Sequence, residues 1–304
     1  MKRVLLLRPG GLGDLIITLP SLRLLRRIDP GASLHLAARS GHAAVLAAAG
    51  VVDRVFDIDD RMWAPFFSDR AADAEPLPGG PADSLWAWFL TPPPASFSRT
   101  AAALAPGAAH ILAADPLRKR PLSRDFFDRT GAAAGAKVGG ADFEIDAHLP
   151  SPRPPAGIPF AGAFAVVHPG SGGRKKRWPL ERFLDLIGIL ARRGLPGLLV
   201  TGPAETDENP GLGRVPLPSG WRRCPSPALV DLAAWLSVCR LYIGNDSGVT
   251  HLAAAVGART LAFFLDENLP AWRPFGRSTV LSAASIDAIS ADAAREALRA
   301  ALSA

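Results

Sequence analysis

The sequence predicts an α/β protein built from two doubly wound halves. Three observations carry that prediction. Short, continuously apolar runs alternate with stretches of helical periodicity, the mark of parallel strands covered by helices on both faces. The alternation runs twice, over residues 4 to 58 and again over 164 to 302. Between the two lies "LPSPRPPAGIP" at 149–159, whose crowded prolines make a stiff, extended connector. The expected domains are therefore 1–150 and 151–304, and Rossmann-like halves of this kind are expected to face a cleft between them.

In the first half, Val4–Leu7 reads as a buried strand. Asp14 to Arg27 reads as one helix, with Leu15, Leu19, Leu22 and Leu25 at helical spacing and Asp29-Pro30-Gly31 as its stop. Ser33–Ala37 is a second strand, Gly41–Ala49 a helix and Val51–Ile58 a third strand. Prolines then break the pattern from Arg61 to Pro94, leaving Ser84–Leu90 as a strand and Thr100–Leu104 as a short helix. "LRKRPLSRDFFDR" at 117–129 reads as a solvated loop or helix, with an acceptor-binding surface as the sharper alternative.

In the second half the strands are Phe164–Val167, Gly197–Thr201, Leu241–Gly244 and Thr260–Phe264. The helices are Leu180–Arg193, Ser226–Ser237, Gly248–Val256 and Ala291–Leu302. The last is amphipathic, with Ala294, Leu298 and Leu302 on one side. Ligands of such sheets bind at the carboxyl ends of the strands.

The composition is that of a soluble globular chain: 304 residues, 48% hydrophobic and 20% charged. The net charge is +6, and only five of the 34 basic residues are lysine. Compositional bias toward arginine explains much of this; an anionic substrate or an anionic membrane surface suits the rest. Cys224 and Cys239 stand in no metal-ligand spacing, so a reducing cytoplasm is expected. The apolar run after Lys2 and Arg3 is too short for a signal peptide, and no run of about 18 apolar residues marks a spanning helix.

Four motifs follow strands. The first is Gly10-Gly11-Leu12-Gly13-Asp14. Its glycines permit a tight turn and a close approach to ligand, yet it has neither the G-x-G-x-x-G spacing nor a P-loop lysine. Asp14 reads either as a helix-start residue favoured by the dipole or as a general base toward an attacking hydroxyl. The second is "HPGSGGRKKRWP" at 168–179, where a glycine-rich turn holding Ser171 precedes Lys175, Lys176 and Arg177. Exposed amides and cations there suit a diphosphate, although a cation run is often only a solvated face. The third, "TGPAETDE" at 201–208, offers Glu205 to a ribose or base, or leaves it as a loop acid. The fourth, "IGNDSGVTHLAAAVG" at 243–257, sets Asp246, Ser247 and Gly248 at a helix start, with His251 one turn in. Free amides and the helix dipole make that start a diphosphate site; a plain N-cap role for Asp246 is the alternative. No carboxylate pair suggests a metal, so neither metal nor cofactor is expected.

"RPGGLGDLIITLPSLRLLRR", "HPGSGGRKKRWPLERF", "GPAE" and "NDSGVTHLAAAVGARTLAFF" together resemble glycosyltransferase family 9, the ADP-heptose:lipopolysaccharide heptosyltransferases, over residues 1 to 58 and 162 to 275. The resemblance implies a GT-B fold whose C-terminal helix, about 291–302, returns to the first domain. It implies inverting, metal-independent transfer of heptose from ADP-heptose onto a lipid A–Kdo acceptor. It makes Asp14 the base, Lys176 the phosphate-contacting lysine, Glu205 the nucleotide-side glutamate, and Asp246, Ser247, Gly248 and His251 the donor motif. Gly10, Gly11 and Gly13 would form an acceptor-side loop. The expected location is cytoplasmic with peripheral contact to the inner membrane, and nucleic acid is not an expected partner. An NAD-dependent oxidoreductase is disfavoured by the missing fingerprint. A non-catalytic sugar-nucleotide or glycan-binding relative, or a transferase using another nucleotide sugar, remains the alternative.

Overall fold

In a computed structural model the structure describes residues 1–68, 80–106, 108–114, 120–152, 160–202 and 215–303. The chain divides into two compact units, Met1–Pro152 and Arg153–Ala304.

The first unit runs β1 (Arg3–Leu7), α1 (Leu12–Ile16), α2 (Leu19–Ile28), β2 (Ser33–Ala38), α3 (Ser40–Ala48) and β3 (Arg54–Asp57). It continues with α4 (Ala64–Phe67), β4 (Ser84–Phe89), α5 (Ala95–Leu104), β5 (Ala109–Ala113), α6 (Leu122–Ala133) and α7 (Gly140–Asp146). Its sheet is parallel, in the order β3-β2-β1-β4-β5. The chain moves outward from β1 to β3, then returns to lay β4 against β1. That reversal leaves a crevice at the carboxyl ends of β1 and β4, where doubly wound sheets bind ligands. One face of the sheet buries Leu5, Leu7, Trp63, Phe66 and Phe97. On the other, Trp88 is fully buried and donates its indole N–H to Thr130 of α6 at 3.1 Å.

The single helix expected over 14–27 is two helices. Pro20 lies in the first turn of α2; it has no N–H to give a carbonyl four residues back, and its ring crowds that carbonyl. The helix that opens the segment therefore ends at Ile16, and Thr18 turns its hydroxyl onto the Leu15 carbonyl at 2.6 Å. The region after residue 60 holds more structure than its prolines suggest. Strand β5, helix α7 and the full length of α5 were not expected, and the charged 117–129 segment holds the start of α6. There Phe126 and Phe127 are buried while Arg120 and Arg124 pair with Asp128 on the outside.

The second unit runs β6 (Ala165–His168), α8 (Leu180–Arg192), β7 (Gly197–Thr201), β8 (Trp221–Pro225), α9 (Leu229–Val238), β9 (Leu241–Asn245) and α10 (Gly248–Ala255). It ends with β10 (Thr260–Leu265), α11 (Leu269–Trp272), β11 (Ser278–Ala283) and α12 (Ala291–Ser303). Its parallel sheet has the order β11-β10-β9-β6-β7-β8, so the reversal falls between β6 and β9. The two edge strands, β8 and β11, were not expected from sequence; as edges they carry exposed polar residues such as Arg222 and Arg223 that blunt the strand pattern.

The closing helix, α12, packs on the second sheet: Ala294, Leu298 and Ala301 join the core formed by Leu241, Leu261 and Phe263, and each buried aliphatic side chain there contributes roughly 1–3 kcal/mol. Among the described residues no helix is long and apolar enough to cross a membrane.

Candidate functional site

Two sets of sequence-predicted residues lie at the two strand reversals. In the first unit, β1 is followed directly by Arg8, and Gly10 turns the chain at φ +118°. α1 then starts at Leu12, with Gly11 before it and Gly13 and Asp14 in its first turn. The Asp14 carboxylate folds back on the turn. Its Oδ2 accepts the Gly11 N–H at 2.7 Å, and its Oδ1 lies 3.2 Å from Nη2 of Arg8. A Cβ on Gly10 would stand 2.7 Å from that Oδ2, so only glycine admits both the backbone angle and the carboxylate. The Asp14 side chain is 21% exposed and Arg8 is 2% exposed, so the aspartate reaches solvent while its partner does not.

Arg8 is the residue that sequence reasoning missed here. Its guanidinium donates to the Asp14 backbone carbonyl at 2.8 Å and to the Trp88 carbonyl at 3.0 Å, besides meeting the carboxylate. One planar group thus ties β1, α1 and β4 together, which a point-charge lysine cannot do. Burial pushes its pKa down to about 10, against the raising effect of Asp14. An arginine that closes a strand just before a glycine turn was the available signal.

In the second unit, the loop after β6 and the start of α10 meet across the β6–β9 reversal. Nζ of Lys176 lies 3.0 Å from Oδ2 of Asp246. Nδ2 of Asn268, in the loop after β10, donates to the same oxygen at 3.0 Å. The Ser171 hydroxyl donates to the Asp246 carbonyl at 2.7 Å. Ser247, not Asp246, is the N-cap: its backbone is extended and its Oγ accepts the Thr250 N–H at 3.3 Å. The Asp246 carboxylate is thereby free to hold the lysine. Behind the helix start, the Tyr242 hydroxyl bonds Thr250 at 2.9 Å. The Tyr242 hydroxyl passes so close over Gly244 that a side chain there has no room.

Asn245 joins the two loops, and sequence reasoning passed over it beside the more conspicuous Asp246. Its amide donates to the Pro169 carbonyl at 2.7 Å, and its carbonyl oxygen accepts the Trp178 N–H at 3.1 Å. Trp178 is itself fixed, stacked on Phe263 with ring centroids 4.2 Å apart and donating to the Ile289 carbonyl at 2.9 Å. The cation run of 174–177 is thus held at its end by a buried anchor.

Three of the four cations of that run differ in place. Lys176 joins Asp246; Arg177 binds the Ser171 carbonyl at 3.1 and 2.9 Å through Nε and Nη2 and so shapes the loop; Lys175 is exposed. Ser171, Lys176, Asp246, Ser247 and Gly248 are brought together, and His251 is buried one turn into α10 with its ring 6.2 Å from that of Trp272. Glu205 lies outside the described residues. Among the described residues no three His, Cys, Asp or Glu side chains group as metal ligands. A lysine beside the opening amides of a helix is an arrangement suited to a diphosphate.

Comparison with known proteins bears on this geometry. The profile of glycosyltransferase family 9 (heptosyltransferase) matches residues 141–297. Lipopolysaccharide heptosyltransferase 1 of Escherichia coli K12 is 26% identical over 281 residues, covering 84% of this chain and 85% of the relative. Among solved structures, E. coli heptosyltransferase WaaC with ADP aligns at TM-score 0.75 and 20% identity over 98% of this chain and 99% of that one. E. coli ADP-heptose lps heptosyltransferase II aligns at TM-score 0.70 and 18% identity over 99% of this chain and 98% of that one. The fold is GT-B, with two Rossmann-like domains.

Proposed function

The chain belongs to glycosyltransferase family 9, the heptosyltransferases, and on that premise we propose that it moves heptose from ADP-heptose onto a lipopolysaccharide-core acceptor of the lipid A–Kdo type, with inversion and without a catalytic metal. The observation that carries the reading is the Lys176–Asp246 contact of 3.0 Å at the start of α10. It sets a cation next to helix amides at the strand reversal, where a leaving diphosphate needs positive charge. The ADP carried by the solved relative supports an adenosine donor, and the names of the relatives support the heptose and the acceptor.

In the proposed reaction an acceptor hydroxyl oxygen attacks the anomeric carbon from the face opposite the diphosphate. Asp14 takes the hydroxyl proton. The bond from the anomeric carbon to the phosphate oxygen breaks, and its electron pair leaves with ADP. Lys176 and the amides of Ser247 and Gly248 stabilise the charge that develops there, which is the task a divalent cation performs in other transferases. Gly10, Gly11 and Gly13 keep the turn narrow enough for Asp14 to be presented. Glu205 and His251 complete the nucleotide side. The enzyme acts on the cytoplasmic face of the inner membrane, in peripheral contact with it.

A binding screen of ADP-, UDP-, GDP- and dTDP-sugars against the purified protein tests the donor; clear preference for another nucleotide rejects ADP-heptose. Turnover of ADP-heptose by wild type and by Asp14→Asn tests the base. A fall of at least about a hundredfold with donor affinity retained is expected, and equal turnover rejects Asp14. Binding of ADP-heptose without turnover by the wild type would favour a non-catalytic relative.

A further inference from the structure

In a parallel sheet the covering helices run back against the strands, so helix C-termini gather at the amino ends of the strands. In the second unit that end is an arginine surface. Arg240, Arg259 and Arg277 immediately precede β9, β10 and β11, while Arg192 and Arg193 end α8 and Arg299 lies near the end of α12. All but Arg259 are exposed. None of the six pairs with a carboxylate among the described residues. Arg240, Arg259 and Arg277 reach backbone carbonyls instead, those of Leu302 at 2.9 Å, Ala301 at 2.6 Å and Gly257 at 3.2 Å.

Among the described residues, most of the unit's acids lie toward the other pole. Glu181, Asp231 and Asp292 open α8, α9 and α12, and Asp246, Asp266 and Asp287 follow β9, β10 and β11. No described carboxylate falls in the last turns of those helices or just before those strands. Arginine-rich composition alone does not produce this separation, because the equivalent end of the first unit is neutralised. There Lys2 meets Asp29 at 3.6 Å and Arg26 meets Asp53 at 2.6 Å, and a further carboxylate, Asp83, lies at the start of β1, where it accepts the backbone N–H of Arg3 at 2.7 Å.

The arginine surface borders a groove lined in part by apolar side chains. Arg193 and Arg240 flank an open groove of about 730 Å³ that is otherwise lined by Phe160, Leu195, Pro196, Leu302 and their small neighbours, with Ser303 as its neutral polar side chain. Arg222 sits over the Phe160 ring at 5.7 Å. Val238, at the end of α9 and two residues from Arg240, is 46% exposed.

We propose that this face of the second unit, carrying Arg192, Arg193, Arg240, Arg259, Arg277 and Arg299 around the Phe160 groove, docks on an anionic lipid bilayer. Unpaired arginines beside exposed apolar groups match a surface that is charged at its headgroups and apolar beneath them. A nucleic acid would be read by amide and hydroxyl side chains, which the groove lacks apart from Ser303 among the described residues. The inference gives residues to the membrane contact proposed above and rests on that part of the reading; it is independent of the transfer chemistry.

The test is co-sedimentation of the full chain with vesicles of phosphatidylglycerol and phosphatidylcholine, against vesicles of phosphatidylcholine alone. Binding is expected only to the anionic vesicles and is expected to be released in about 0.5 M salt. Among the described residues, the side chains of Arg192, Arg193 and Arg299 make no hydrogen bond or ion pair. The combined variant Arg192→Gln, Arg193→Gln and Arg299→Gln is therefore expected to lose about a hundredfold in vesicle affinity, about fivefold per arginine. It should keep the wild-type melting temperature and wild-type turnover of a water-soluble acceptor. The matching triple lysine variant should bind as wild type does, because a bilayer reads charge. Failure of the wild type to bind anionic vesicles overturns the proposal, as does wild-type binding by the triple glutamine variant. Retention on duplex DNA at a salt concentration that releases the vesicles also overturns it, in favour of nucleic acid. Loss of vesicle binding with turnover intact separates this surface from the catalytic reading.

Discussion

The guanidinium of Arg8, buried to 2% exposure, meets the carboxylate of Asp14 at 3.2 Å and the Asp14 carbonyl at 2.8 Å. A solvent-reaching acid is thus aimed by a base that never leaves the core. Arg8→Lys keeps the charge but cannot span the same three acceptors. Turnover is expected to fall about ten- to thirtyfold, with donor affinity within about twofold of wild type. Steady-state kinetics with a parallel donor titration checks it; an equal loss in donor affinity would show that Arg8 does not act through Asp14.

Gly10→Ala puts a methyl group 2.7 Å from the Asp14 carboxylate, at a backbone φ of +118°. Both the angle and the contact oppose it. Stability is expected to drop by about 1–3 kcal/mol, and turnover by more than the stability loss explains at a temperature where the variant is folded. Denaturant melts and activity at low temperature separate the two effects.

Lys176 and Lys175 are neighbours with different expected roles. Lys176→Met removes the cation beside Asp246, and donor affinity should fall about ten- to hundredfold, the range for a charge-assisted hydrogen bond. Lys175→Met, at an exposed side chain, should change it by less than about twofold. Calorimetric titration with ADP reads both, and the reverse ranking would move the phosphate contact to Lys175.

If Lys176 and the α10 amides supply the positive charge at the leaving diphosphate, turnover should persist in excess EDTA after dialysis against chelator. Activity lost in EDTA and restored by a divalent cation would reject the metal-independent reading.

Burial pushes the Cys239 thiol up from its ordinary value of 9.0 to about 12. The unfolded chain releases that proton above about pH 9, whereas the fold retains it. The unfolded state therefore binds fewer protons in this window, and stability declines as pH rises from about 9 toward 12, by about 1.4 kcal/mol per pH unit at most. Cys239→Ala should flatten that part of the profile relative to wild type, as read from denaturant midpoints at pH 8 and pH 10.

The sequence was most legible where packing dictates pattern. The central strands β1, β6, β9 and β10 are buried on both faces and read as continuous apolar runs. Edge strands β8 and β11 did not, because exposure on one side mixes Arg222, Arg223, Ser278 and Ser282 into them. The break between α1 and α2 was readable from Pro20 but was masked by the leucine spacing that continues across it. Of the site, the charged and glycine-rich motifs were visible as strand-end loops. Asn245, Asn268 and Arg8 were not singled out, since their roles depend on carbonyls and carboxylates distant in sequence: Pro169, Asp246 and Trp88.

One amide side chain grips both ends of the 169–178 segment, through the Pro169 carbonyl and the Trp178 N–H. The conformational freedom of that segment is therefore surrendered when the chain folds, not when a nucleotide arrives. On the proposed donor reading, the sugar nucleotide would meet a receptor already cast, and its association would require no slow rearrangement of the lysine-bearing turn.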